Sequence, residues 1–510
     1  MELHGGQDIN INIKLLDDYS VTTNFLGLSE MGISNLKNNI DEEITHYPNQ
    51  QQEPYKTNLV NWLYKDKDIH SNNNIILGNG ASELIDLLIK IFRYDENYSI
   101  YKTKKWRPNS KTVQYVEYGR TCENYGFIKT SWDDIDSDIT CIINPCNPTG
   151  EYIKLNEIKE KIERCKNNCL VIVDESMQPW LNKNFRSDSL ISESKWISQL
   201  YENRKIIVVI IHSWTKFFCC TGLRIGSLIC PNAEIKDLII KYQVPWSCNI
   251  LALKYLDGCI KDNSYMDKTW NETPKIREEM VNIIKSMYPL WKIYGENFLS
   301  WIWIDTESEN FAKLVYDICK LNGIPIRLGL SGYNLPTFIR IAVRSEVSNK
   351  ILFSVLESLI KFNQINYPHI KIPDNLVIKY ENVDIVKIIC HEEVIEERYN
   401  ALKHYIDTLE KLKVIPAIIV DYNTNVLIDG HHRLHVFKNL EMKKVPVIYI
   451  NYSHPNIIVN PNNELTRNDV INAGLTKKYL LPKSTQHMFI DLENNTYPIV
   501  ILSTLIYLIN

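Results

Sequence analysis

Three apolar runs constrain this chain more than any other feature. They are Cys141–Pro145 (CIINP), Leu170–Asp174 (LVIVD) and Lys205–Ser213 (KIIVVIIHS), and none alternates apolar with polar residues. A strand with one wet face alternates, whereas a strand covered on both faces does not. Between the first two runs, Leu155–Cys165 reads as a helix. From about Asn72 to Ile360 strand-like and helix-like segments keep alternating. The pattern predicts an α/β fold, a mostly parallel sheet with helices on both faces. Ligands of such sheets collect at the carboxyl ends of the strands, so residues there are the first candidates for function.

At 510 residues the chain exceeds one ordinary core, and its 45% apolar content can fill more than one. A net charge of -4 gives no general pull toward nucleic acid or an anionic membrane. The 12 cysteines are scattered, unlike a secreted disulfide framework. Cys165 and Cys169 are spaced as one helical turn, but no second pair follows at zinc-site spacing, so no metal is assigned. The start, MELHGGQDINI, lacks a basic-then-apolar signal pattern, and no apolar run reaches the roughly 20 residues that span a bilayer. Pro498–Asn510 reads as a closing strand. The expectation is a cytoplasmic protein without a membrane segment.

The stretch Asn363–Asn375 carries Pro368 and Pro373 and no helical period. It divides the chain into a domain over 1–364, a linker over 365–376 and a smaller domain over 377–510. In the smaller one, Glu396–Leu412 predicts a helix. Two short strands follow around the Asn423–Asn425 turn, with Pro416 opening the first, and Val445–Ile450 predicts another strand.

Four segments of the larger domain carry chemistry. Gly78–Glu83 (GNGASE) opens an apolar helix, and free amides at a helix start attract anions, although glycine turns before helices are common. Asn147, in Asn144–Gly150 (NPCNPTG), stands at a strand end and can donate to a phenolate oxygen, or simply belong to an Asn-Pro turn. Asp174 ends its strand, where a buried carboxylate keeps a pyridine nitrogen protonated or caps a helix. Ser213–Lys216 sets a lysine against a buried strand end, where a lowered pKa makes it a nucleophile. Arg224, eight residues on, can pair with a phosphate dianion.

In this order and at these separations the segments resemble the fold-type I aminotransferase superfamily, from about His4 to Leu359. The resemblance implies pyridoxal 5'-phosphate, with Lys216 as the Schiff-base lysine, Asp174 on the pyridine nitrogen and Asn147 on the ring oxygen. The amides of Ala81 and Ser82, with Ser213 and Arg224, would hold the cofactor phosphate. It also implies a homodimer in which Tyr47 reaches the neighbouring subunit's cofactor. Two branches are similar, histidinol-phosphate aminotransferase and L-threonine-O-phosphate decarboxylase. The second is echoed more closely by His4-Gly5-Gly6, by Asp18–Gly27 (DYSVTTNFLG) and by Tyr115–Arg120 (YVEYGR). That branch implies that Tyr118 stacks on the ring, that Arg340 and secondarily Arg344 bind a substrate anion, and that His4 approaches a substrate phosphate. Met177 departs from the pattern, standing where many aminotransferases carry a tyrosine.

In the smaller domain, Asp429–Arg433 (DGHHR) lies between a strand and a helix and reads as a phosphate-binding helix start, a solvated turn or a metal site. With His391-Glu392-Glu393 upstream and Leu481–His487 (LPKSTQH) downstream, it resembles the free serine kinase branch of the ParB-like fold, an α+β ParB/sulfiredoxin-like domain, over about Val377 to Met488. The resemblance implies that Asp429, Gly430, His431, His432 and Arg433, with Lys483, Thr485 and His487, bind nucleotide phosphates. It makes Glu392 the base, with Glu393 its neighbour, and ATP or ADP with Mg²⁺ the phosphate donor. Leu481 replaces the first proline of the tail motif. DNA-partition factors share this fold, but neither a helix-turn-helix nor a long basic patch is visible, so nucleic acid is not expected.

Together these readings predict a bifunctional enzyme. One domain would phosphorylate free serine or threonine, and the other would decarboxylate the O-phospho-amino acid. Two alternatives remain open: an aminotransferase acting on phosphoserine or histidinol phosphate, and a second domain that binds nucleotide or DNA without kinase activity.

Overall fold

The computed structural model describes residue 6 and residues 15–64, 74–97, 103–365, 370–407, 413–439, 441–459, 465–482, 484–503 and 505–508. The chain divides into two compact units, Met1–Leu352 and Phe353–Asn510.

Among the described residues the first unit holds a seven-stranded sheet of β1 (Ile75–Gly78), β2 (Lys105–Pro108), β3 (Ile128–Lys129), β4 (Ile139–Ile143), β5 (Cys169–Asp174), β6 (Ile206–Ser213) and β7 (Gly226–Ile229). Its order is β1-β7-β6-β5-β4-β2-β3. Strands β2 to β6 run parallel, and β7 is antiparallel to both of its neighbours. The unbroken apolar runs have a direct cause. On β5, Leu170 and Ile172 join one core cluster while Val171 and Val173 join the other. Residues Ile206 to Ile211 of β6 alternate between the two clusters in the same way. Helix Ala81–Tyr94 supplies Leu84 and Leu88 to one cluster, and helix Leu155–Glu163 supplies Ile158 and Ile162 to the other. With a helix layer on each face, every position of the central strands β4 and β5 is buried.

A second sheet in this unit is antiparallel, in the order β10 (Arg327–Leu328), β11 (Phe338–Ala342), β9 (Trp301–Asp305) and β8 (Lys292–Tyr294). Its register sets Arg327 directly opposite Arg340.

The second unit is α+β. Its largest sheet has the order β12 (Val377–Asp384), β16 (Lys444–Ile450), β14 (Ile418–Asp421) and β15 (Leu427–Asp429), with β14 parallel to β16 and the other pairs antiparallel. A ladder of β13 (Lys413–Pro416) with β20 (Leu505–Leu508) is separate from a sheet of β17 (Ile457–Val459), β18 (His487–Ile490) and β19 (Thr496–Pro498). The β14–β15 hairpin turns where the Asn423–Asn425 signal stands. Asp421 Oδ2 accepts from Thr424 N at 2.9 Å, and Asn425 adopts the left-handed conformation.

Several local expectations are corrected. Helix Glu346–Ile365 runs into the stretch read as linker from Asn363. Pro416 ends β13 rather than opening the next strand. The helix from Glu396 is described as far as Asp407, and the rest of its expected span, residues 408–412, lies outside the described residues. Cys165 and Cys169 do not share a helix, because the helix stops at Glu163 and Cys169 already begins β5. Among the described residues no helix is long and apolar enough to cross a membrane, and no group of three or more His, Cys, Asp or Glu could hold a metal ion.

Candidate active sites

The ends of β4, β5 and β6 open onto a cleft of about 650 Å³. Asp174 is the last residue of β5, Lys216 sits in the single turn Trp214–Phe217 after β6, and Asn147 follows β4. All three line the cleft together with Ala81, Ser82, Ser213 and Arg224. Burial lowers the Lys216 amine to about 8, and the guanidiniums of Arg224 and Arg340 push the same way. A neutral amine is therefore accessible near neutral pH, as a nucleophile requires. Burial raises Asp174. Hydrogen bonding from the side chain and backbone of Ser176 and from Tyr118 opposes that shift: Ser176 N donates to Oδ1 at 2.8 Å and Tyr118 Oη donates to Oδ2 at 2.9 Å.

At the opposite end of the cleft, helix Ala81–Tyr94 starts with open amides. Its cap residue Gly80 has φ +81°, and a Cβ there would overlap Arg224 Nη2 and stand 2.9 Å from Cζ. A Cβ on Gly226 would meet Ala81 N at 2.6 Å. These two glycines let Arg224 and β7 close on the helix start, which makes a cradle for an anion. A carboxylate, an amine and an anion cradle thus stand in one cleft. That donor set fits pyridoxal phosphate, with Asp174 for the ring nitrogen, Lys216 for the aldehyde carbon and the cradle for the phosphate.

A wider cavity of about 1230 Å³ shares Lys216, Asn147 and Arg224 with the cleft and extends to Arg327 and Arg340. Both of these arginines are buried. Arg340 donates to Asn147 Oδ1 at 2.6 Å and to the Ser20 carbonyl at 2.6 Å, while its Nε has no partner among the described residues. Arg327 was not singled out from the sequence. The available signal was a cation inside the apolar run before Gly329.

Other candidates sit elsewhere. Tyr118 is fully buried and bonds Asp174 from outside the cleft, and Tyr115 is the tyrosine that lines both cavities. Arg344 does not line either cavity. It donates to Asp17 Oδ1 at 3.1 Å, to the Thr23 carbonyl at 2.9 Å and to the Val21 carbonyl at 2.6 Å, so it seats the segment that walls the substrate side. Ser213 Oγ lies 2.8 Å from Thr215 Oγ1, and the Ser213 amide donates to Ser176 Oγ at 2.7 Å. Met177 lines the cleft. Tyr47 is exposed and stacks on Trp246 with ring centroids 4.5 Å apart. His4 and Lys483 lie outside the described residues.

In the second unit, the DGHHR segment passes from β15 into helix His431–Asn439. Gly430 takes φ +111°, and a Cβ there would meet Ile418 Cγ2 at 2.6 Å. Arg433 donates to Asp429 and to the Ala417 carbonyl. His432 Nε2 accepts from Ile395 N at 3.1 Å. His431 and His487 each pack edge-on against His391, with centroids 4.5 and 5.7 Å away, and burial keeps all three rings neutral. Tyr452 Oη lies 3.1 Å from His487 Nδ1, and His487 Nε2 is buried without a partner among the described residues. Glu392 is held between strands of loop: Oε1 accepts from Ser484 N at 3.1 Å and Oε2 accepts from Thr485 Oγ1 at 3.0 Å. Burial raises its pKa, and Asp429 adds to the rise. Thr485 therefore touches the candidate base.

The aminotransferase class I and II family matches residues 24–359. Histidinol-phosphate aminotransferase 2 of Haemophilus influenzae is 27% identical over 297 residues, which is 57% of this chain and 76% of that protein. The histidinol-phosphate aminotransferase from Sinorhizobium meliloti in complex with pyridoxal-5'-phosphate superposes with a TM-score of 0.56 at 14% identity, covering 68% of this chain and 91% of its own. L-threonine-O-3-phosphate decarboxylase from Porphyromonas gingivalis gives 0.54 at 16% identity, covering 68% and 100%. At such identities the two structures establish the fold alone, which is that of a fold-type I pyridoxal-phosphate enzyme. The chain belongs to the aminotransferase class I and II family.

Proposed function

We propose that the chain is a bifunctional enzyme. The second unit phosphorylates free serine, or threonine, with ATP or ADP and Mg²⁺. The first unit then decarboxylates the O-phospho-amino acid to phosphoethanolamine, or to 1-amino-2-propanol phosphate. One observation carries the choice of substrate class. Arg327 and Arg340 are buried, directly cross-strand, and line the cavity that Lys216 also lines. Two guanidiniums so placed repel unless anions sit with them. A phospho-amino acid brings both a carboxylate and a phosphate. The names of the relatives, histidinol-phosphate aminotransferase and L-threonine-O-3-phosphate decarboxylase, likewise specify phosphorylated substrates.

Bound pyridoxal phosphate supplies an electron sink for the pair left on the substrate Cα when a bond there breaks. Asp174, steadied by Tyr118 and Ser176, holds a proton on the ring nitrogen. Asn147, itself oriented by Arg340, would hold the ring oxygen. The two arginines would hold the substrate's anionic groups and so orient its Cα bonds. Lys216 returns a proton to Cα once the carboxylate has left. In the second unit Glu392 takes the hydroxyl proton of serine, while the start of helix His431–Asn439, with Arg433, faces the nucleotide phosphates. One methyl separates serine from threonine, worth about 1–3 kcal/mol of discrimination in an apolar pocket, so both remain substrates in this reading. The exposed Tyr47 supports a homodimer, which light scattering would test.

The deciding experiment supplies phosphoserine with and without 2-oxoglutarate, and separately serine with nucleotide and Mg²⁺. Release of CO₂ from phosphoserine supports decarboxylation. A keto acid formed only with 2-oxoglutarate selects the aminotransferase reading, which the histidinol-phosphate aminotransferase relatives favour. Nucleotide or DNA binding without phosphoserine formation would reduce the second unit to a binding module.

A further inference from the structure

The surroundings of Glu392 contain a device that the serine-phosphorylation reading does not require. His391 Nδ1 lies 2.5 Å from the Leu427 carbonyl. A carbonyl only accepts, so the ring proton of His391 is on Nδ1 and Nε2 is a bare acceptor. That acceptor lies 3.3 Å from Thr485 Oγ1. The same Thr485 oxygen lies 3.0 Å from Glu392 Oε2. Thr485 has one proton and two acceptors in reach.

We propose that Thr485 is a two-way hydroxyl and, with His391, a positioning pair for the base, donating to Glu392 when the carboxylate is ionised and to His391 when Glu392 carries a proton. This rests on the reading of Glu392 as the base for phosphate transfer to serine. In that step the serine oxygen forms its bond to phosphorus as the nucleotide's terminal P–O bond breaks, and the hydroxyl proton passes to Glu392 Oε2. The new Glu392 O–H donates to Thr485 Oγ1, and the Thr485 hydroxyl turns to His391 Nε2. No proton leaves Thr485, and every O–H in the set has an acceptor in either state. Without the His391 acceptor, protonated Glu392 would leave the Thr485 proton unpaired in a half-buried site, a cost comparable to a lost hydrogen bond. Burial lowers His391 to about 4, so it serves as an acceptor and not as a proton store. Among the described residues, the other titratable groups facing these residues are Asp429, His431 and His487, with Arg433 held on Asp429.

The pair predicts shifts of opposite sign. Thr485→Val removes the donor to ionised Glu392, so the carboxyl should titrate about one pH unit higher. His391→Asn keeps a donor where Nδ1 stands and removes the Nε2 acceptor, which destabilises only the protonated form. Glu392 should then titrate lower by a similar amount. His391→Gln, with an amide near the Nε2 position, should restore much of the wild-type value, and Thr485→Ser should keep it. The readout is the ¹³C carboxyl titration of Glu392 in the full chain, assigned by its loss in Glu392→Gln, beside the pH profile of phosphoserine formation. Opposite shifts support the pair even where no phosphoserine forms, in which case the kinase reading alone fails. Equal, absent or same-direction shifts overturn the pair, whatever the activity. Melting curves identify a variant that fails to fold, and Thr485→Val against Thr485→Ser then carries the test by itself.

Discussion

Gly80 lies directly beneath Arg224, and a methyl group at position 80 would stand 2.9 Å from the guanidinium carbon and overlap Nη2. The bare Cα is what allows a cation and the start of helix Ala81–Tyr94 to face the same anion. The φ of +81° at Gly80 adds a second reason for glycine, since side chains rarely adopt it.

Gly80→Ala should therefore displace Arg224 and weaken cofactor binding by a factor on the order of 10 or more, because a charge-assisted contact to phosphate is worth roughly 1.5–3 kcal/mol. Titration of the apoenzyme with pyridoxal phosphate measures it. Unchanged affinity would mean that Arg224 does not meet the phosphate.

Lys216→Ala should abolish the covalent link to the cofactor. The visible absorbance near roughly 410–430 nm should vanish while far-UV circular dichroism stays the same. A surviving band would place the reactive lysine elsewhere.

Tyr118→Phe and Tyr115→Ala should differ in kind. The first keeps the buried ring and deletes a donor to Asp174. That bond lowers the Asp174 carboxyl against the upward push of burial, so its loss should raise the pKa further. The ionised carboxylate is the working form, so the acid limb of the activity profile should move to higher pH, with stability falling by about 1 kcal/mol. Tyr115→Ala strips a cavity wall and should weaken cofactor binding without moving that limb. Profiles of kcat against pH separate the two.

His212→Phe should stabilise the first unit in acid. His212 is fully buried, stacks on Trp214 with ring centroids 4.8 Å apart, and has no hydrogen-bond partner on either ring nitrogen among the described residues. Burial lowers its pKa to about 3. The folded state thus binds fewer protons than the unfolded chain between pH 3 and about 6.5, and stability is lost as pH falls through that window. Glu175, raised to about 7 by burial, acts in the opposite sense, with its contribution lost as pH rises through 7. Phenylalanine keeps the stacking and removes the titration. Melting temperatures at pH 7 and pH 4.5 should lie closer together in the variant, and an unchanged gap would exclude His212 as its source.

Glu392→Gln should lower phosphate transfer to serine by a factor on the order of 10²–10⁴ while supplied phosphoserine is consumed at the normal rate. Comparing both rates in one preparation checks this. Equal loss of both would make Glu392 structural.

The apolar runs determined the central sheet by themselves, because a run such as Leu170–Val173 with no polar position has only a doubly covered place to go. The spacing of Asp174, Lys216 and Arg224 around strand ends likewise marked one cleft before any packing was known. Tertiary structure decided which of several chemically equivalent residues face it. Tyr115 and Tyr118 lie three apart at the start of one helix, so local periodicity puts them on the same side, and only packing buries Tyr118 against Asp174 while Tyr115 meets the cavity. Arg340 and Arg344 are four apart in one apolar stretch, yet one faces the substrate side and the other is used up on the carbonyls of the segment Asp17–Thr23. Arg327 became a candidate only through its cross-strand register with Arg340, and the contact of Thr485 with Glu392 came only from the tertiary structure. Strand and helix content follows from short-range pattern, whereas the partner a side chain meets depends on segments tens to hundreds of residues away in the chain, which no local pattern encodes.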